Sequence, residues 1–209
     1  MGINSNKIYY PERSNKQLTA PAEYPVTLAE QKAYSRIDGT DEDSLITSLI
    51  KAITIQCEKY IRGGIITRTY RQIEDAGNIA TTRAGISNPF RLIEIKNIMV
   101  ASVEGLTFYD EDDTATVISN TKYRVDRVGY NTTGRIVFND DFSLGLSIRP
   151  FTAYQVDYTA GYASASSVPD DIKLAIMASV QSAYENRENY NSLTALTKNI
   201  LNPYRVIEI

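Results

Sequence analysis

Apolar residues recur at helical spacing in four stretches of the chain, and at alternate positions in the block between the second and the third. The first stretch, VTLAEQKAYSRI, opens on Thr27 and Glu30. At that spacing the hydroxyl and the carboxylate can each satisfy a free N–H of the first turn. The second, TDEDSLITSLIKAITIQCEKYIRGG, carries Leu45, Ile46, Leu49, Ile50, Ile53, Cys57, Tyr60 and Ile61 on one stripe. Thr40 is positioned to cap it, Asp41, Glu42 and Asp43 complement the positive end of its dipole, and Lys59 and Arg62 the negative end. Gly63-Gly64 is expected to close it. Two later stretches begin at Pro169, with Ile172, Ala175, Ile176, Val180 and Ala183 as the stripe, and at Ser192, with Leu193, Leu196, Ile200 and Leu201. Helices are therefore predicted over 27–37, 41–62, 169–188 and 192–201.

From 65 to 162 the period is two. Runs such as IITRTYRQIE, FRLIEIKNI, TKYRVDRV, GRIVFN and FTAYQVDYTAGY are rich in β-branched and aromatic residues and bounded by Gly, Asn and Asp, as antiparallel strands are. Turns are expected at 110–113, 129–134 and 140–145. The two long helices each bury one face only, so the simplest fold packs them together and lets the strands project. The predicted class is α+β: a bundle of about four helices with a β-rich antiparallel insertion between the second and third. Residues 1–25, polar and carrying Pro11, Pro21 and Pro25, read as an extended arm outside the packed elements. Residues 26–203 read as one domain and 204–209 as a tail. Within that tail Arg205, Ile207 and Ile209 alternate with Tyr204, Val206 and Glu208, the pattern of a short strand after the helix stop at Pro203.

Composition narrows the chemistry. The chain has no histidine and a single cysteine, which excludes Ser-His-Asp and Cys-His nucleophile systems, a Cys/His zinc site and a disulfide framework. Cys57, inside an apolar stripe, reads as a small core residue. The net charge of −3 gives no bulk positive field for phosphate backbones. No apolar window approaches the roughly 20 residues of a membrane span, and MGINSNKIYY lacks the apolar core of a signal peptide, so no membrane association is expected. Carboxylates remain as potential catalysts, but Asp110-Glu111-Asp112-Asp113 lacks the alternating oxygens and central Gly of a calcium loop and reads as a hairpin turn. Gly63-Gly64 and Gly161 lack the context of a phosphate-binding loop. No catalytic, cofactor-binding or metal-ligating residue is assigned, and no cofactor is expected. A carboxylate pair made only by folding, as in a glycan hydrolase, stays open as the alternative. Fifteen tyrosines against five phenylalanines favour surfaces that are wet in one state and covered in another, although Tyr70, Tyr123, Tyr154 and Tyr158 can each be ordinary sheet residues.

Three blocks in order, VTLAEQKAYSRIDGTDEDSLITSLIKAITIQCEKYI, QVDYTAGYASASSVPDDIKLAIMASVQSAYENRE and LNPYRV, resemble the head-tail connector family of tailed bacteriophages and prophages, also called adaptor or head-completion proteins. They cover about half the chain; the strands between them match in character only, and no block is a catalytic signature. The resemblance implies a non-enzymatic virion protein of the neck, assembled in the bacterial host cytoplasm. It implies a ring, commonly of twelve copies, beneath the portal protein, extending the channel through which double-stranded DNA passes without specific binding. It further implies a docking surface for a stopper or tail-completion protein. The C-terminal segment anchors such adaptors on the portal, which carries over to Leu201, Asn202, Pro203, Tyr204, Arg205, Val206, Ile207, Glu208 and Ile209. A tail-side neck or stopper protein differs from this reading only in its neighbours.

Overall fold

The computed structural model describes residues 14–79, 92–126, 133–145, 147–186 and 193–205. In chain order the elements are β1 (Ser14–Gln17), α1 (Leu28–Ser35), α2 (Asp43–Ile61), β2 (Arg68–Glu74), β3 (Leu92–Ile98), β4 (Val100–Tyr109), β5 (Ala115–Val117), β6 (Tyr123–Asp126), β7 (Thr133–Phe138), β8 (Tyr154–Ala160), α3 (Asp170–Glu185) and α4 (Ala195–Leu201). The helices form one bundle and the strands between α2 and α3 form the insertion, as the change of period from 3.6 to two requires.

The stripe of α2 (Ile46, Ile50, Ile53, Cys57, Ile61) meets that of α3 (Ile172, Ala175, Ile176, Val180) in a helical core that Leu193 and Leu201 close. Helix α1 starts as its sequence dictates. The Thr27 N–H and hydroxyl both donate to Glu30 Oε2 at 2.7 Å, and the Glu30 N–H donates to Thr27 Oγ1 at 3.2 Å. These bonds, the backbone one first, hold the Glu30 carboxyl below its ordinary pKa. Its stabilising effect is thus complete above the ordinary carboxylate value and is lost as pH falls through the depressed folded value. Thr27→Ala should cost about 1 kcal/mol and return Glu30 toward ordinary titration, which carboxyl chemical shifts followed against pH would register.

Helix α2 departs from its expected caps. It begins at Asp43, two residues after the acidic run opens, and Thr40 contributes its carbonyl, accepting from the Asp43 N–H at 3.2 Å, and no side-chain cap. Asp43 instead pairs with Lys32 of α1 at 2.6 Å, so a contact between helices replaced the local cap. At the other end Arg62, φ 59°, takes the left-handed position expected of glycine. Gly64 is needed for another reason: a Cβ there would lie 2.0 Å from the Tyr70 hydroxyl.

The insertion, joined by β1 from before the bundle, is a sandwich of two antiparallel sheets, ordered β1-β2-β8-β4-β5 and β3-β7-β6. Alternate residues of the facing strands, among them Ile93, Ile95, Leu106, Phe108, Ile136 and Val156, fill a second core. Register is fixed at both ends of the central pair, Arg68 opposite Ala160 and Glu74 opposite Tyr154. The turn at 110–113 forms as expected, Asp110 Oδ1 accepting from the N–H groups of Asp112 and Thr114. The turn expected at 129–134 lies mostly outside the described residues.

The arm needs a partial correction. Ser14–Gln17, read as part of an unpacked arm, is the edge strand of the larger sheet, with Ser14 opposite Ile73 and Gln17 opposite Tyr70. Three prolines and no apolar alternation hid it, because an edge strand needs main-chain pairing more than a buried face. Residues 1–13 lie outside the described residues.

Helical and sheet cores meet at a largely buried ion pair. Arg68 at the start of β2 donates to Glu58 of α2, to the Gln17 side chain at 3.0 Å and to the Ile66 carbonyl at 3.2 Å, while Glu58 also accepts from the Ile65 N–H at 3.0 Å. Replacing Arg68 by Met leaves a carboxylate without its cation at a site whose Arg and Glu side chains are 5% and 12% exposed. The expected cost is about 3 kcal/mol, near the low end for a broken buried pair because Glu58 keeps one N–H donor; urea denaturation measures it.

Candidate docking surfaces

The C-terminal segment leaves the bundle at a defined point. Leu201 is fully buried in the helical core, whereas Asn202, Pro203 and Arg205 are exposed and Tyr204 is half-buried. Tyr60 of α2 donates to Asn202 Oδ1 at 2.5 Å, Tyr204 donates to Asp171 of α3 at 2.7 Å, and the Arg205 guanidinium lies 5.5 Å from the centre of the Tyr60 ring. The residues expected to act as a tail thus divide. Leu201 to Arg205 belong to the bundle surface; Val206, Ile207, Glu208 and Ile209 lie outside the described residues.

The strand-like alternation does not extend to Tyr204. Asn202–Tyr204 form a 3₁₀ turn with Pro203 inside it, and the Arg205 N–H donates to the Asn202 carbonyl at 3.2 Å. Proline's fixed φ suits such a turn, and Tyr204 is held by a side-chain bond that a period-two reading cannot contain. Tyr60 and Asp171, which set this exit, carried other roles in the sequence. In the sequence Tyr60 belongs to the apolar stripe of α2 and Asp171, beside Asp170 in the first turn of α3, suits the helix dipole; only their hydrogen bonds in the fold identify them as the groups that set this exit.

The remaining chemistry-bearing residues are structural. Cys57 is fully buried, and burial pushes its thiol up to about 12, so it stays protonated and inert at neutral pH. Tyr70, Tyr123, Tyr154 and Tyr158 all lie in the sandwich core, at most 8% exposed. Burial raises the phenols of Tyr70, Tyr123 and Tyr158. Their sheet positions therefore account for these tyrosines, which leaves an interface role to others. Among the described residues no group of three or more Asp, Glu or Cys is placed to hold a metal ion, and no helix is long and apolar enough to cross a membrane. Asp113 pairs with Arg149, and Glu111 accepts from Ser147 at 2.8 Å, so the acidic hairpin is tied into its own domain.

A second surface feature lies where β1 and the end of β3 approach the last turns of α2. A cleft of about 540 Å³ opens there, between Asn15 and Gln17 on one side, Ile55 and Lys59 on another, and Pro21 and Tyr24 on a third, with Tyr70 and Asn97 also in its lining. Asn15 ties the two sheets together at this corner, donating to the Lys96 carbonyl at 2.9 Å and accepting from Tyr158 at 2.8 Å.

Comparison with solved structures finds the same fold in particle necks. The chain superimposes on a protein in the neck of an empty gene transfer agent particle computed with C6 symmetry, with TM-score 0.68 and 20% identity over 94% of this chain and 97% of the other. A protein of the native gene transfer agent virion gives TM-score 0.66 and 20% identity over 93% and 96%. One from the native neck computed with C12 symmetry gives 0.65 and 18% over 94% and 97%. Comparison with curated proteins gives no match. A family model described as head completion protein matches residues 26–202, from the residue before the cap of α1 to the 3₁₀ turn after α4. Because that span holds the whole bundle and its insertion, the chain is a structural protein of the head completion family.

Proposed function

We propose that this chain is a head-tail adaptor in the neck of a tailed phage or phage-like particle. The observation that carries the reading is the family match over 26–202, and the shared fold with proteins of gene transfer agent necks supports it. Copies assemble as a ring, twelve in number, through a heterologous contact in which one face of a subunit meets a different face of the next and rotation closes the set. The six- and twelve-fold symmetries used for the gene transfer agent necks favour that arrangement.

In this role the ring sits under the portal protein, extends the DNA channel and presents the far surface to a stopper or tail-completion protein. A conduit must not hold its cargo, and a net charge of −3 per subunit, repeated around a ring, suits passage of duplex DNA better than a cationic lining would. Leu201 to Ile209 form the portal anchor: Leu201 roots it in the core, the contacts of Tyr60 and Asp171 fix its exit, and Val206 to Ile209 reach the partner. The family's structural role sets aside a glycan hydrolase. Crosslinking this chain inside purified particles tests the assignment. Adducts with portal protein and with a second copy are expected; adducts with tail proteins alone would place it on the tail side of the neck and overturn the adaptor reading.

A further inference from the structure

We propose that the cleft beside β1 binds an extended, acidic segment of a partner protein by adding it as a strand to the β1 edge. Just after β1 the N–H of Leu18 donates to the Thr69 carbonyl at 2.8 Å, so the main-chain groups of Leu18 and Lys16 face β2 while those of Asn15 and Gln17 point away from the sheet. Among the described residues nothing bonds to those outward groups. Asn15 and Gln17 also line the cleft, so the edge borders a space of about 540 Å³. That volume lies within the ordinary range of ligand clefts.

The walls specify what enters. Ile55, 46% exposed, gives α2 an apolar side chain on the cleft wall. Asn97 is 2% exposed and its Oδ1 has no partner. A buried acceptor left open costs about 1–3 kcal/mol, and an incoming N–H would recover it. The lining carries three cationic side chains, Lys59, Arg62 and Arg68, against one carboxylate, Glu58. The local balance is therefore positive on a chain whose net charge is −3, and carboxylate side chains on the incoming strand would meet it. Strand addition supplies affinity through the main chain, and alternate side chains set the specificity.

The test uses the full chain, labelled for amide spectra, and two capped hexapeptides, one alternating valine with glutamate and one alternating valine with lysine. The glutamate peptide is expected to shift the amides of Asn15, Gln17 and Lys59 in a saturable way and the lysine peptide to leave them in place. In the double variant Lys59→Glu/Arg62→Gln, affinity for the glutamate peptide should fall about tenfold, since exposed pairs contribute modestly and one is inverted. Absence of shifts at millimolar glutamate peptide overturns the proposal. So do equal shifts with both peptides, or shifts centred on β5 in place of β1. The neck assignment stands or falls on particle crosslinking, independently of these outcomes.

Discussion

Gly161→Ala is expected to destabilise the chain by about 5 kcal/mol, a third or more of the stability of an ordinary domain. Gly161 follows β8 with φ +119°, where L side chains are strained, and a Cβ would lie 2.6–2.8 Å from Ile66 C, Ile66 O and Thr67 N. Those are main-chain atoms held on both sides. The Gly161 N–H donates to Met99 at 3.1 Å, Tyr162 donates to Ile65 at 2.7 Å, and Thr67 donates to Tyr162 at 2.9 Å. Backbone strain accounts for about 1–3 kcal/mol, and the clash adds a similar cost because no flexible side chain can yield. Gly145→Ala is the control: its φ is +68° but nothing lies within 4 Å of the added carbon. That change should cost about 1 kcal/mol from strain alone. Guanidinium denaturation of both variants decides it; equal losses would show that the close approach to Ile66 and Thr67 carries no energy.

The same crossing explains why part of the fold was readable and part was not. The stripes of α2 and α3 are written in adjacent residues at helical spacing, and each has only one way to be covered, so their pairing followed from pattern alone. The capping box of α1 is likewise local. The caps of α2 are less so: the Lys32 bridge to Asp43 joins two helices, and the αL turn falls on Arg62 where the pattern put glycine. Edge strand β1 carries no buried alternation; what places it is main-chain pairing with β2 and the Asn15 contacts to Lys96 and Tyr158. The tyrosine excess pointed to a surface because composition counts side chains without their neighbours. In the sandwich, Tyr70 and Tyr158 stack with ring centres 5.6 Å apart inside the core. Of the docking features, the segment after Leu201 was visible as an ending, but its anchoring by Tyr60 and Asp171 and the cleft at β1 exist only once residues of separate elements meet, Tyr60 and Asn202 from 142 positions apart.

If the C-terminal segment anchors the chain on the portal as proposed, ending the chain after Arg205 should leave the fold intact and weaken that association about a hundredfold. The contacts described for the C-terminus survive this cut: Leu201 in the core, Tyr60 on Asn202, Tyr204 on Asp171 and Arg205 against Tyr60. Stability should therefore change by no more than about 0.5 kcal/mol. A cut after Asn202 removes Tyr204 and its bond to Asp171 as well, and should cost about 1 kcal/mol, so loss of binding in that variant would be ambiguous. The affinity estimate assumes that Val206 to Ile209 dock by main-chain pairing, with two or three hydrogen bonds of about 1 kcal/mol each, and about 1.4 kcal/mol corresponds to a tenfold change. Melting curves establish that the shortened chain is folded, and co-sedimentation with portal rings then reads the loss. Undiminished binding by the folded, shortened chain would move the anchor from the last four residues to the bundle surface around Asn202 and Tyr204, where the exposed end of the 3₁₀ turn would have to supply the contact.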